Sequence, residues 1–181
     1  PGSDGNSNVF TAPADDDAIV FAEAFTQLQG KFAFCIDEKD LRMQLEQLFA
    51  ERKWTKIYFT EDFISTILTG RKSYDNLPGC DVSITGCEYI VARTGTIVLS
   101  SAQQSGRTTS VYAPVHICIA YSRQMLYDLQ EALSFLKEKY KNNIPSQIAF
   151  ATGPSRTADI EKTLVTGVHG PKEVFCFLVE A

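Results

Sequence analysis

A chain of 181 residues with 44% hydrophobic content can bury the core of one ordinary globular domain. Its net charge of −5 argues against a surface built for nucleic acid or anionic lipid, since both need a basic patch, and no apolar run approaches the length of a membrane span. Five scattered cysteines (Cys35, Cys80, Cys87, Cys118 and Cys176) form no CxxC pair, so they read as reduced core thiols of a cytoplasmic protein rather than as ligands of zinc or a cluster.

The opening PGSDGNSN has no starting Met and almost no apolar content, so residues 1–14 read as a flexible tail before a single domain over 15–181. From Asp15, the spacing of Ile19, Ala22, Phe25 and Leu28 predicts a helix with one buried face, ended by Gly30. Phe32–Ile36 predicts a strand. Asp37 then caps a helix striped with Leu41, Leu45, Leu48 and Phe49, and Ile57–Phe59 completes a βαβ unit. Phe63–Leu68 adds a short helix, and residues 70–80 form a polar loop. Val82 and Ile84 mark a strand broken by Gly86. Tyr89–Ala92 and Thr96–Leu99 flank Arg93-Thr94-Gly95 as an antiparallel hairpin.

The Ser, Gln and Thr-rich loop from Ser100 to Pro114 has the length at which loops carry function. Val115–Ala120 is a strand, and Ser122 is expected to cap the longest helix, with Met125, Leu129, Leu133 and Leu136 inward and Asn142, Asn143 and Pro145 stopping it. Ile148–Ala151 is a strand ended by Gly153 and Pro154. A further helix follows from Ser155–Thr157, with Ala158, Leu164 and Val165 inward. Val174–Val179, apolar throughout, reads as an interior parallel strand. Strands alternating with helices around a central hairpin predict a three-layer α/β/α sandwich with a mixed, mostly parallel sheet.

Three loops share one chemistry. Arg93-Thr94-Gly95, Gly106-Arg107-Thr108 and Gly153 with Ser155-Arg156-Thr157 each set a guanidinium beside hydroxyls and glycine-exposed amides. A guanidinium fork suits a carboxylate or phosphate, and a glycine turn feeding a helix start leaves free N–H groups for an anion. The candidate ligand-binding set is therefore Arg93, Thr94, Gly95, Arg107, Gly153, Ser155, Arg156 and Thr157. The competing reading is that the glycines serve turn geometry and each arginine pairs with an acid to tie down its loop. His116 and His169 each begin a strand, whereas ligands of α/β sheets gather outside the carboxyl ends, so His169 reads as a turn residue and neither reads as catalytic. No Ser-His-Asp set, HExxH, Walker loop or GxGxxG occurs, and Glu88 is the lone acid beside the central hairpin.

The run GPSRTADIE followed by GVHGP resembles the lactate-utilisation (LUD) domain family, in particular its C-type branch, with looser similarity through Thr94–Leu99, Gly106-Arg107 and Pro114–Ile117. The resemblance implies a fold akin to the CoA-transferase and sugar-phosphate isomerase group. It also implies membership of a system that oxidises L-lactate to pyruvate alongside iron–sulfur proteins, with the clusters in those partners and no cofactor in this chain. It assigns no catalytic residue. The family pattern carries Glu before the Thr-Gly-Thr where Arg93 stands here, a reversal of charge that weakens any acid, base or nucleophile role there. On this reading the chain is the non-iron–sulfur component, binding a small anionic ligand. Two alternatives stay open: an enzyme of CoA-transferase-like fold acting on a phosphorylated, folate-like or CoA substrate, and a non-catalytic assembly or regulatory subunit.

Overall fold

The computed structural model describes residues 13–154 and 170–181. Its elements in chain order are α1 (Pro13–Gln27), β1 (Lys31–Cys35), α2 (Glu38–Arg52), β2 (Ile57–Tyr58), α3 (Asp62–Ile67), β3 (Val82–Thr85), β4 (Tyr89–Val91), β5 (Thr96–Ser100), β6 (Val115–Tyr121), β7 (Met125–Leu126), α4 (Leu129–Tyr140), β8 (Ile148–Ala151) and β9 (Glu173–Val179).

The central sheet is parallel throughout, in the order β1-β9-β6-β3-β2. Its interior strands are apolar on both faces because both faces are covered. Along β9, Phe175, Phe177 and Val179 face a core shared with Leu41, Leu45 and Phe49 of α2 and with Ile64 and Ile67 of α3. The alternate residues Val174, Cys176 and Leu178 face a second core, shared with Phe21 and Phe25 of α1 and with Ile90 and Ile97. The unit from β1 to β2 is therefore a βαβ unit whose strands lie at opposite edges of the sheet.

Strand pairing is mostly parallel and helices lie on both faces, as the element order predicts. The strands divide between two sheets: a smaller one, β7-β4-β5-β8, packs with α1 over one face of the parallel sheet, and α4 covers its outer side through Ala132 and Leu136. β4 and β5 form the expected antiparallel hairpin.

Two expectations need correction. Ser122 does not start a long helix. Ser122–Gln124 is a single 3-10 turn, Met125–Leu126 pairs with β4, and α4 begins only after Asp128, where Asp128 and Glu131 form a reciprocal capping box. That box satisfies two orphan N–H groups, more than Ser122 offers. α4, with 12 residues, is shorter than the 15-residue α1 and α2, and Leu133 is exposed. In α1 the buried stripe runs through Phe21 and Phe25, whose rings stack at 5.3 Å, while Ile19 is exposed.

The edge strand β1 is shielded by its own following helix. Gln44 Nε2 donates to the Phe34 carbonyl at 3.0 Å, and Asp40 Oδ2 accepts the Ile36 N–H at 2.9 Å, so two α2 side chains take the place of a neighbouring strand there. All five cysteines are buried free thiols. His116 is buried on β6 with Nε2 2.8 Å from Thr85 Oγ1, and burial lowers its pKa to about 4, so it is held neutral.

Candidate functional site

Because the five strands of the central sheet run the same way, every loop leaving a strand emerges at one end. There the residues following β1, β2, β3 and β6 surround a cavity of about 260 Å³, with Glu38, Glu61, Phe63, Gly86, Tyr121 and Arg123 among its lining. This is the place where open parallel sheets receive ligands.

Each wall has a local cause. Glu61 is the N-cap of α3, but its side chain makes no capping bond there; its Oε1 instead accepts the Gly86 N–H at 2.7 Å, across to the end of β3. Gly86 permits this by lacking a side chain: a Cβ there would lie 2.9 Å from the Phe63 ring and 3.3 Å from Glu61 Oε2. Tyr121 donates its hydroxyl to Glu38 Oε1 at 2.7 Å, and burial together with that carboxylate pushes the phenol well above its ordinary pKa. Gln124 fixes the floor, accepting the Tyr121 N–H and donating to the Cys87 carbonyl, both at 2.8 Å. The long Ser100–Pro114 loop is braced beside Glu61 by Gln104, which exchanges two hydrogen bonds with Asp62 at 2.8 and 3.0 Å.

Arg123 brings a guanidinium to the cavity. Its exposed guanidinium lies over the Tyr121 ring at 4.4 Å at the cavity edge, and like Arg42 and Arg107 it makes no ion pair among the described residues, whereas Arg52, Arg71 and Arg93 are each paired to a carboxylate. A guanidinium stacked beside a small cavity, with no carboxylate partner among the described residues, can accept a carboxylate in bidentate fashion.

The residues singled out in sequence are distributed differently. Arg93 donates to Asp128 at 3.0 Å, tying the hairpin turn to the start of α4 and holding the Asp128 carboxyl below its usual range. Thr94 Oγ1 lies 2.7 Å from Thr96 Oγ1. Gly95 and Gly153 both have positive φ, and both press against the end of α1: a Cβ would sit 2.6 Å from the Phe25 nitrogen and 2.5 Å from the Leu28 carbonyl oxygen, respectively. Arg107 donates to Ser146 at 2.9 Å, in a space of about 30 Å³, room for about one water. The register of β5 with β8 puts Gly153 at the Gly95 end and Arg107 at the Ser100 end, roughly 14 Å of strand apart. Ser155, Arg156, Thr157 and His169 lie outside the described residues.

Glu88, the lone acid near the hairpin, is buried and fully engaged. It accepts from Ser100 Oγ at 2.5 Å, Tyr140 Oη at 2.6 Å and Lys139 Nζ at 2.8 Å. Burial alone would raise its pKa, and these three donors outweigh that and hold it below the ordinary value. Among the described residues, no group of three or more His, Cys, Asp or Glu could hold a metal ion, and no helix is long and apolar enough to cross a membrane.

An α/β sandwich with a cavity of mixed polar and apolar lining at the carboxyl ends of a parallel sheet is the class defined by this geometry. Within it, the chain belongs to the LUD domain family, whose pattern matches residues 68–179. It is 38% identical to lactate utilization protein C of Geobacillus sp. (strain WCH70) over 112 residues, 61% of this chain and 46% of that protein. With lactate utilization protein C of Bacillus subtilis (strain 168) it shares 34% identity over 112 residues, 61% of this chain and 47% of that protein. The chain thus spans about half the length of the curated relatives it matches. A crystal structure of a DUF162 family protein from Deinococcus radiodurans shares the fold, with a TM-score of 0.72 at 17% identity over 93% of this chain and 99% of that one. Gly86, Tyr121, Arg123 and Gln124 lie inside the family match, and Glu38 and Glu61 precede it.

Proposed function

We propose that this chain is the non-iron–sulfur component of an L-lactate utilisation system and that it binds a small carboxylate in the cavity at the carboxyl ends of the parallel sheet. The relatives named for lactate utilization support the system. The observation that carries the site is the guanidinium of Arg123 stacked above Tyr121, with no ion pair among the described residues, at the end of the sheet where ligands collect. In this reading the iron–sulfur clusters belong to partner proteins, and this chain contributes a pocket that holds lactate or pyruvate by its carboxylate.

A charge-assisted hydrogen bond contributes about 1.5–3 kcal/mol. Arg123→Ala should therefore weaken L-lactate binding by roughly tenfold or more in isothermal titration, while Arg156→Ala leaves it within about twofold. Loss of binding in Arg156→Ala alone would move the anion site to Arg156. Wild-type protein that binds neither lactate nor pyruvate, but associates with the iron–sulfur partners, would favour a purely structural subunit.

A further inference from the structure

We infer that Glu61 makes the cavity selective for a 2-hydroxy acid over the corresponding 2-oxo acid. This rests on the cavity being the small-carboxylate site proposed above. Glu61 is buried, and its two oxygens are in different situations: Oε1 is committed to the Gly86 N–H, while Oε2 has no hydrogen-bond partner among the described residues and is left to the cavity wall beside Gly86 and Phe63.

A carboxylate oxygen only accepts. With the ligand carboxylate on Arg123, a 2-hydroxyl can donate to Glu61 Oε2 in a charge-assisted bond. A 2-oxo oxygen at the same place sets two acceptors against each other and leaves Oε2 desolvated without a donor. Sites that bond a substrate hydroxyl reject analogues lacking it for this reason. Glu38 is the other carboxylate of the cavity, but it is exposed and already receives the Tyr121 hydroxyl, so water can serve it when a ligand does not.

Glu61→Gln tests the assignment without removing the bond to β3. The Gly86 N–H requires an oxygen opposite it, so the new amide must turn its NH₂ toward the cavity, replacing an acceptor by a donor that suits a keto oxygen. Isothermal titration with L-lactate and with pyruvate should give wild-type protein about a tenfold preference for lactate, and Glu61→Gln a ratio within about twofold of one. Glu38→Gln should retain the wild-type ratio, and thermal unfolding of each variant verifies that it is folded. Arg123→Ala should weaken both acids together and leave their ratio unchanged. An undiminished preference in Glu61→Gln, with Arg123→Ala weakened, would overturn the selectivity while leaving the site in place. Absence of preference in the wild type would overturn it as well. Unchanged affinities for both acids in Arg123→Ala would remove the site itself, and the inference with it.

Discussion

The backbone N–H of Gly86 donates to Glu61 Oε1 at 2.7 Å, and this bond joins the carboxyl ends of two neighbouring parallel strands, β3 and β2, into one wall of the cavity. The wall exists because position 86 has no side chain. A methyl group at that position would lie 2.9 Å from the Phe63 ring and 3.3 Å from Glu61 Oε2, so the ring or the carboxylate must give way.

Gly86→Ala is accordingly expected to cost about 1–3 kcal/mol of stability, as overpacking does, and to weaken L-lactate binding. Chemical denaturation and titration measure the two effects. An alanine variant with both unchanged would show that Phe63 and Glu61 are not positioned by this contact.

The continuous apolar run of β9 and the cap at Asp37 were legible in sequence, because each depends on residues near one another in the chain. The cavity was not. Glu38, Glu61 and Arg123 each closely follow an apolar run, but which runs share an end depends on β1 and β2 standing at opposite edges of one parallel sheet, and no local pattern encodes that order. Placing every candidate at the carboxyl end of its preceding strand would have found them. Gly95 and Gly153 show a related ambiguity: both closely approach α1, a long-range contact whose sequence signature is the same as that of an anion-binding turn.

Glu88 fastens α4 to the smaller sheet through Lys139 and Tyr140. Tyr140→Phe removes one donor from a buried carboxylate and should cost about 1 kcal/mol. Glu88→Ala leaves Tyr140, Ser100 and Lys139 without their acceptor and should cost about 3 kcal/mol, measured by urea unfolding. Equal and negligible losses in both variants would show that α4 is held by Ala132 and Leu136 alone.

Stability should fall with acid in two stages. His116 titrates near 6.5 when unfolded and at about 4 when folded, because burial disfavours its charge. Between those values the unfolded chain binds the extra proton, so stability is full above pH 6.5 and about 3 kcal/mol is lost by pH 4. Glu173 follows. The hydrogen bond from Arg52 lowers its pKa from 4.5 to about 2 against the opposing effect of burial, with Lys31 assisting, and its contribution is present above pH 4.5 and lost as pH falls toward 2. These groups are partly exposed, so solvent screening reduces that contribution to about 1–2 kcal/mol. Urea unfolding across pH should show His116→Gln losing the slope between 6.5 and 4, and Glu173→Gln losing part of the slope below 4.5. A wild-type slope persisting in His116→Gln would place the upper-stage proton elsewhere.

Backbone amide shifts during an L-lactate titration, followed by solution NMR, read directly where the ligand binds. With the carboxylate on Arg123, the amides of Gly86, Cys87 and Gln124 should shift along one saturating curve while those of Gly95 and Gly153, against α1, stay fixed. Saturating shifts at Gly95 and Gly153, with Gly86 and Gln124 unmoved, would contradict the account and place the anion at the arginine and glycine turns.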